Sequence, residues 1–379
     1  MSKRLEKLWI ASSPLSFGGV DEAQLVKVLE SQEQGTILAP LTSVDQLMLK
    51  RDGTTLVDNL RYSEGAFRHV CGMACAGLAH LVDDLIGYRF RSATNVSEQS
   101  FGDAINIFNN LLRIRADRFL GLLQLVRDLP ESRIDGMVGM GYRWLSNYDL
   151  YRQVMSLLES QGRPEKFSAA HLHARHLTML LSPRADNCIP GTTDYRIGFR
   201  FRNSEVGDSS VLADMILIRK DMLHMGITRV SRTVHSGKAF FKRLGRSLSS
   251  SLQRTPDVDK LVSCLNTMHD TLLGFTGSPD PSGDDKRFNQ LLRWLLSARI
   301  QLSLAHRVMK NALVQGGDDK PMNEVDVTLF RRDVWPRRTT YDIFVSLLRT
   351  ADSAPLRSRA AIERFAWRLM MGRAILPSY

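Results

Sequence analysis

Cysteine is scarce in this chain: four residues in 379, at Cys71, Cys75, Cys188 and Cys264. Cys71 and Cys75 are spaced for one helix face, but no second close Cys or His pair accompanies them, as a zinc site would need. The expectation is free thiols in a reducing compartment and no bound metal. Long apolar runs are missing too. No stretch approaches the roughly 18 to 20 apolar residues that span a bilayer. The opening Met1-Ser-Lys-Arg-Leu-Glu-Lys-Leu-Trp9 has no apolar core of a secretory signal. A cytoplasmic chain without a membrane partner is therefore expected. The glycines at 136, 139 and 141 do not follow phosphate-loop spacing, and no Lys-Ser/Thr follows them. No catalytic signature stands out elsewhere, so a non-enzymatic role without a cofactor is the first reading.

Acidic residues are also outnumbered, 40 against 51 Lys and Arg, which leaves a formal charge of +11. Most of that excess sits in one stretch, Tyr195 to Arg254. Ile197, Phe199 and Phe201 alternate with Arg196, Arg200 and Arg202, which predicts a strand with an apolar and a cationic face. Asn203 to Ser210 is polar and holds a glycine, so it reads as a turn. Leu212 to Ile218 reads as a second, more buried strand. From Lys238 the period changes: Phe241, Leu244, Leu248 and Leu252 form one helical stripe, and Lys238, Lys242, Arg243 and Arg246 lie on another side. Between Arg219 and Arg254 stand nine Lys/Arg and one acid, Asp221. Such a concentration favours a polyanion, DNA before RNA. The candidate contacts are Arg196, Arg200, Arg202, Arg229, Arg232, Lys238, Lys242, Arg243 and Arg246. The plainer reading is a solvated basic face.

The rest of the chain sets an α+β expectation: a mainly antiparallel sheet with flanking helices over residues 1–236, then a helical region over 237–379. In the first part the pattern predicts helices at Asp21–Gln32, from Ser63 as N-cap, at Ala76–Ile86, from Ser97, and at Tyr148–Glu159 with Asn147 as cap. Strands are expected at Thr36–Pro40, Phe119–Val126 and Ile134–Tyr142, with a turn at Asp52-Gly53. Phe167 to Leu181 carries His171, His173 and His176. Two imidazoles on one strand face are potential metal ligands, but no acid lies within the run to complete a set. In the second part Val258, Leu261, Leu265, Met268 and Leu272 repeat at helical spacing. Gly277–Asp285 is the clearest linker. Phe288, Leu291, Leu295, Ala298, Leu302, Ala305, Met309 and Ala312 form a heptad-like seam. Its expected partner is Val258–Leu273 in the same chain, and a second copy is the sharper alternative. Phe330–Arg338 mixes two aromatics with four arginines, a weak match to a base-stacking segment.

Three segments in order carry a resemblance. They are Arg133-Ile-Asp-Gly-Met-Val-Gly-Met-Gly-Tyr-Arg-Trp-Leu-Ser-Asn-Tyr-Asp149, the loop Asn203-Ser-Glu-Val-Gly-Asp-Ser-Ser-Val211 with its following strand and His235-Ser-Gly237, and Thr340-Tyr-Asp-Ile-Phe344 with Arg357–Met371. Together they resemble, over about residues 60–373, a phage- and plasmid-encoded family whose shared domain has no assigned function. Where that family has a Cys-Asn-Gly-type turn, this chain has Lys220–Gly226. The resemblance implies an origin on a mobile element in a bacterial host and a part in DNA metabolism. It supplies no catalytic residues.

Three functions compete at this stage. The first is a nucleic-acid-binding protein of replication or recombination, with single strands among its targets. The second is an assembly protein that self-associates through its C-terminal helices. The third is a metal-dependent nuclease using His171 and His173 with a remote acid.

Overall fold

A computed structural model describes residues 9–10, 14–75, 77–78, 81, 98–127, 132–173, 175–183, 188–207, 209–270, 293, 295–314, 339–352, 354 and 356–372. The α+β expectation holds. The expected linker at Gly277–Asp285, the segment Phe330–Arg338, the Ser97 cap and most of the Ala76–Ile86 helix lie outside the described residues.

Strands β1 (Trp9–Ile10), β3 (Thr36–Pro40), β4 (Arg61–Ser63), β5 (Leu122–Arg127) and β6 (Arg133–Gly139) form a five-stranded sheet in the order β1-β4-β6-β5-β3. β4 runs parallel to β1 and β6, while β5 is antiparallel to β3 and β6. Helices α2 (Glu64–Ala74) and α3 (Glu98–Ile114) contribute to the core built on this sheet. α2 starts where Ser63 Oγ accepts the Ala66 amide at 3.2 Å, and it buries Ala66, Phe67, Val70, Cys71 and Ala74. Phe67 stacks on Phe108 of α3 at 5.0 Å, and both meet the edge of Tyr62. Each such ring, fully buried, contributes on the order of 1.5–3 kcal/mol. The Tyr62 hydroxyl donates to the Leu47 carbonyl at 2.7 Å, so the ring stays buried without an orphan oxygen.

A six-stranded antiparallel sheet has the order β11-β10-β9-β8-β7-β2. Its strands are β2 (Leu15–Gly18), β7 (Lys166–His173), β8 (His176–Ser182), β9 (Tyr195–Ser204), β10 (Val211–Arg219) and β11 (His224–Thr233). The apolar run Phe167–Leu181 is thus two strands with a turn between them. α1 (Glu22–Gln34) and α4 (Asn147–Ser160) pack on each other. The cap of α4 is Ser146, whose Oγ accepts the Asp149 amide at 2.9 Å, and not Asn147 as the sequence suggests. Asn147 is wholly buried and used elsewhere, as described below.

The chain divides into two compact units that interleave along the sequence. The first is Met1–Leu181, Arg200–Ala213 and Ser231–Leu252; the second is Ser182–Phe199, Asp214–Val230 and Gln253–Tyr379. The basic helix α5 (Phe240–Leu252) belongs to the first unit, not to a C-terminal helical region starting at 237. In the second unit, α8 (Thr340–Asp352) packs against α6 (Val258–Asp270), α7 (Leu302–Val314) and α9 (Leu356–Met370), and Ile343, Phe344, Leu347 and Leu348 are buried. The expected continuous seam is broken. Arg299 has φ 61°, and a new helix begins at Leu302. Phe288 and Leu291 lie outside the described residues. The break buries Ile300, and the new helix, with Leu304, Ala305 and Val308 buried, packs on α8.

Candidate nucleic-acid interface

The candidate surface is built on a buried polar hub in the first unit. Leu125 pairs with Gly136, and Val126 pairs with Ile134, so Asp135 is the extra residue of a β-bulge. A bulge re-aims the side chain it carries. The Asp135 carboxylate accepts Arg133 Nε at 2.7 Å and Arg175 Nε at 2.6 Å, and Arg127 Nε stands 3.2 Å away as an ion pair. Arg175 is fully buried, and its Nη1 donates to Glu205 at 2.7 Å. Glu205 also accepts the Asn147 amide at 2.5 Å, while the Asn147 side-chain oxygen accepts Asn203 Nδ2 at 2.9 Å. Three guanidinium groups thus meet two carboxylates. Burial, then the charge of Arg175, pulls Arg127 down to about 10, so it stays protonated at neutral pH. Burial pushes Glu205 up, against the pull of Arg175. Charges this deep are tolerated only when paired and hydrogen-bonded.

The hub fixes the loop that follows β9. Gly207 has φ 77°, and a Cβ there would lie 2.9 Å from Val138 and 3.1 Å from the Tyr142 ring. Only glycine lets this backbone settle on β6. The Tyr142 hydroxyl donates to the Ser204 carbonyl at 3.0 Å. On the Tyr142 ring, in turn, stacks the buried His235, at 5.0 Å and 21°. Phe240, the first residue of α5, stacks on the imidazole at 5.1 Å and 25°. His235 Nδ1 donates to the Arg143 carbonyl at 3.1 Å, and burial lowers the imidazole pKa despite that bond. The stack therefore anchors the start of the basic helix to the hub.

Helix α5 buries Phe240, Leu244, Leu248, Ser251 and Leu252. Its other side exposes Lys242, Arg243 and Arg246, and Lys238 is exposed just ahead of it. From Ser231 to Leu252 there are five Lys/Arg and no Asp or Glu. Lys238, Lys242 and Arg246 have no carboxylate partner among the described residues, and the Arg243 guanidinium donates to the Ser236 carbonyl. Arg232 is exposed and reaches Ser210 Oγ at 3.1 Å.

The other expected contacts are placed differently. Arg196 and Arg200 are 7 % and 4 % exposed, and Arg202 is half-buried, so the strand does not present a cationic face to water. Buried residues alternate onto both faces of β9, Arg196 and Arg200 as well as Phe199 and Phe201, so both faces of this strand are covered. Arg229 is exposed but falls in the second unit and pairs with Asp214 at 3.3 Å. His171 meets Ser16 Oγ at 2.9 Å. Among the described residues no group of three or more His, Cys, Asp or Glu is placed to hold a metal ion.

The hub itself escaped the sequence reading, although two of the three segments singled out there meet in it. The available signal was a carboxylate inside each glycine-bearing motif, Asp135 before Gly136 and Glu205 before Gly207. A carboxylate in a buried strand demands a counter-charge, and Arg175 lay unremarked among the histidines. The comparisons supply no family for this arrangement: no protein-family model, no curated protein and no solved structure matches the chain.

Proposed function

We propose that this chain is a non-enzymatic nucleic-acid-binding protein whose contact surface is the exposed side of α5 with Lys238 and Arg232. One observation carries the reading: five cations without an acid in Ser231–Leu252, three of them on a helix whose apolar side is committed to the core. Their placement also works against the helix. Lys242 and Arg243 sit in its first turn, where no acid is present. Positive charge at that end opposes the helix dipole. Lys242 and Arg246, four apart, repel one another. Polyanionic phosphates compensate both terms. A role on a mobile element of a bacterial host, in replication or recombination, is what the resemblance to the phage- and plasmid-encoded family adds.

Phosphate contacts make binding salt-dependent and indifferent to sequence. In a titration of labelled DNA across a salt series, the Lys242→Ala/Arg243→Ala/Arg246→Ala triple variant is expected to weaken all sequences alike. Its log–log salt slope should fall by roughly two to three units, at about 0.7 to 0.9 per lost contact. A folded triple variant with unchanged affinity and slope would leave this face merely solvated. The second reading is self-association through the C-terminal helices: of the seam's described residues Leu295 and Ala305 are buried, while Leu302 is exposed at 52 %.

A further inference from the structure

Of the Phe, Tyr and Trp side chains whose exposure is described, only Phe241 is exposed, at 52 %. It is next to Lys242 and Arg243 in the first turn of α5, three residues after Lys238. A phenyl ring left in water forgoes about half of its burial energy. It is also held firmly. Its edge meets the buried Phe240 at 5.0 Å and 69°, and Phe240 is the last ring of the Tyr142–His235–Phe240 stack. Two further apolar side chains lie within two residues of that stack in sequence and are exposed, Met140 at 65 % and Val234 at 52 %. Apolar side chains therefore gather, in sequence, around the anchored start of the basic helix.

We propose that Phe241 is a base-stacking platform and that the preferred ligand of this surface is single-stranded nucleic acid. The inference rests on the nucleic-acid reading above and adds strand preference to it. Cations alone give no preference for the single strand, because duplex phosphates are the more densely spaced. An aromatic face adds affinity only where a base is free to lie on it, and duplex bases are already stacked on each other. A ring among cations thus selects the unpaired form. Stacking tolerates any base, so the preference is for strandedness and not for sequence. An anionic bilayer could also use the charges but brings no planar ring to Phe241, and an acidic protein segment brings one only where it carries an aromatic side chain, whereas every unpaired nucleotide carries a base.

The test is fluorescence anisotropy of the full chain with a labelled oligothymidine and with a labelled duplex of equal length, at two salt concentrations. The wild type is expected to bind the single strand more tightly. Phe241→Ala should lower single-strand affinity by about tenfold, within the range reported for losing one stacked base. Its salt slope and its duplex affinity should stay unchanged, because no phosphate contact is removed. Phe241→Trp should restore the single-strand affinity. A thermal melt of each variant checks that the half-exposed position has not disturbed the fold. If Phe241→Ala weakens both ligands equally, or neither, the stacking platform is wrong while nucleic-acid binding stands. If the wild type binds neither DNA at low salt, the functional reading itself fails. Binding to phosphatidylserine vesicles, without binding to DNA, would assign the surface to a membrane instead.

Discussion

Arg175 is the side chain on which most of the first unit's polar order depends. It joins a bulge of one sheet, through Asp135, to the end of β9, through Glu205. Replacing it with Met would keep much of the volume, leave the buried Glu205 without the guanidinium that pairs with it, and leave Asp135 to Arg133 and Arg127. Breaking a buried pair in this way costs about 3–5 kcal/mol, which urea unfolding would register as a lower midpoint. Gly207→Ala is expected to cost about 1–3 kcal/mol, since the new methyl must push against Val138 and Tyr142. His235 makes a separate prediction about pH. Its folded pKa is depressed below the ordinary 6.5 by burial. The unfolded chain therefore binds a proton that the folded chain refuses as pH falls below 6.5, and stability must fall with it. His235→Phe keeps a ring in the stack and cannot titrate. The difference between the two urea-midpoint profiles from pH 7.5 to pH 5 should show the wild type losing ground on acidification relative to the variant. Parallel profiles would mean that His235 titrates normally.

At the scale of the element, α5 offers a substitution with opposite effects on fold and function. Lys242→Glu places an acid in the first turn and turns the Lys242–Arg246 repulsion into a Glu–Arg pair four residues apart. The two effects together should stabilise the protein by about 0.5–1 kcal/mol at low ionic strength. The same change should weaken DNA binding more than Lys242→Ala does, and a melt paired with a binding titration would show both signs. Elements also show where sequence reading succeeds. The period of two in Tyr195–Arg202 identified a strand correctly, and the period near 3.6 from Lys238 identified the helix and its exposed cations but put Phe241 in the apolar stripe, where Phe240 is buried and Phe241 is exposed. What a period of two cannot report is which face meets water, so Arg196 and Arg200 were assigned outward when both faces of the strand are covered. β11 was missed because its exposure changes from the buried His224 and Met225 to the exposed Thr228 and Arg229. Neither template fits such a strand. The hub was illegible for another reason: Asp135, Arg175 and Glu205 are 30 or more residues apart and meet only once both sheets have formed.

On the scale of the whole molecule, interleaving sets what can be cut. A fragment ending at Leu252 retains Ser182–Phe199 and Asp214–Val230 but loses every helix of the second unit. It would leave the Tyr195 hydroxyl without Tyr341, the Gly226 amide without Glu363 and His224 without Arg359. Such a fragment is expected to lack a cooperative urea transition for these strand segments, seen as poor amide dispersion in NMR. A fragment with dispersion equal to that of the full chain in β10 and β11 would show that the first unit needs no such cover.

The same interleaving places a clock in the synthesis of the protein. Tyr195 and Tyr341 are 146 residues apart, and Gly226 and Glu363 are 137 apart. A ribosome adding about 5–20 residues per second takes roughly 7 to 30 seconds to make that distance. Until its end the strand segments of the second unit have been translated and the last two helices, α8 and α9, are not complete. Tyr195, Gly226 and His224 must wait about that long for Tyr341, Glu363 and Arg359. The nascent chain is then open to capture by holding chaperones, and a stall within the last third of the message would strand it in that state.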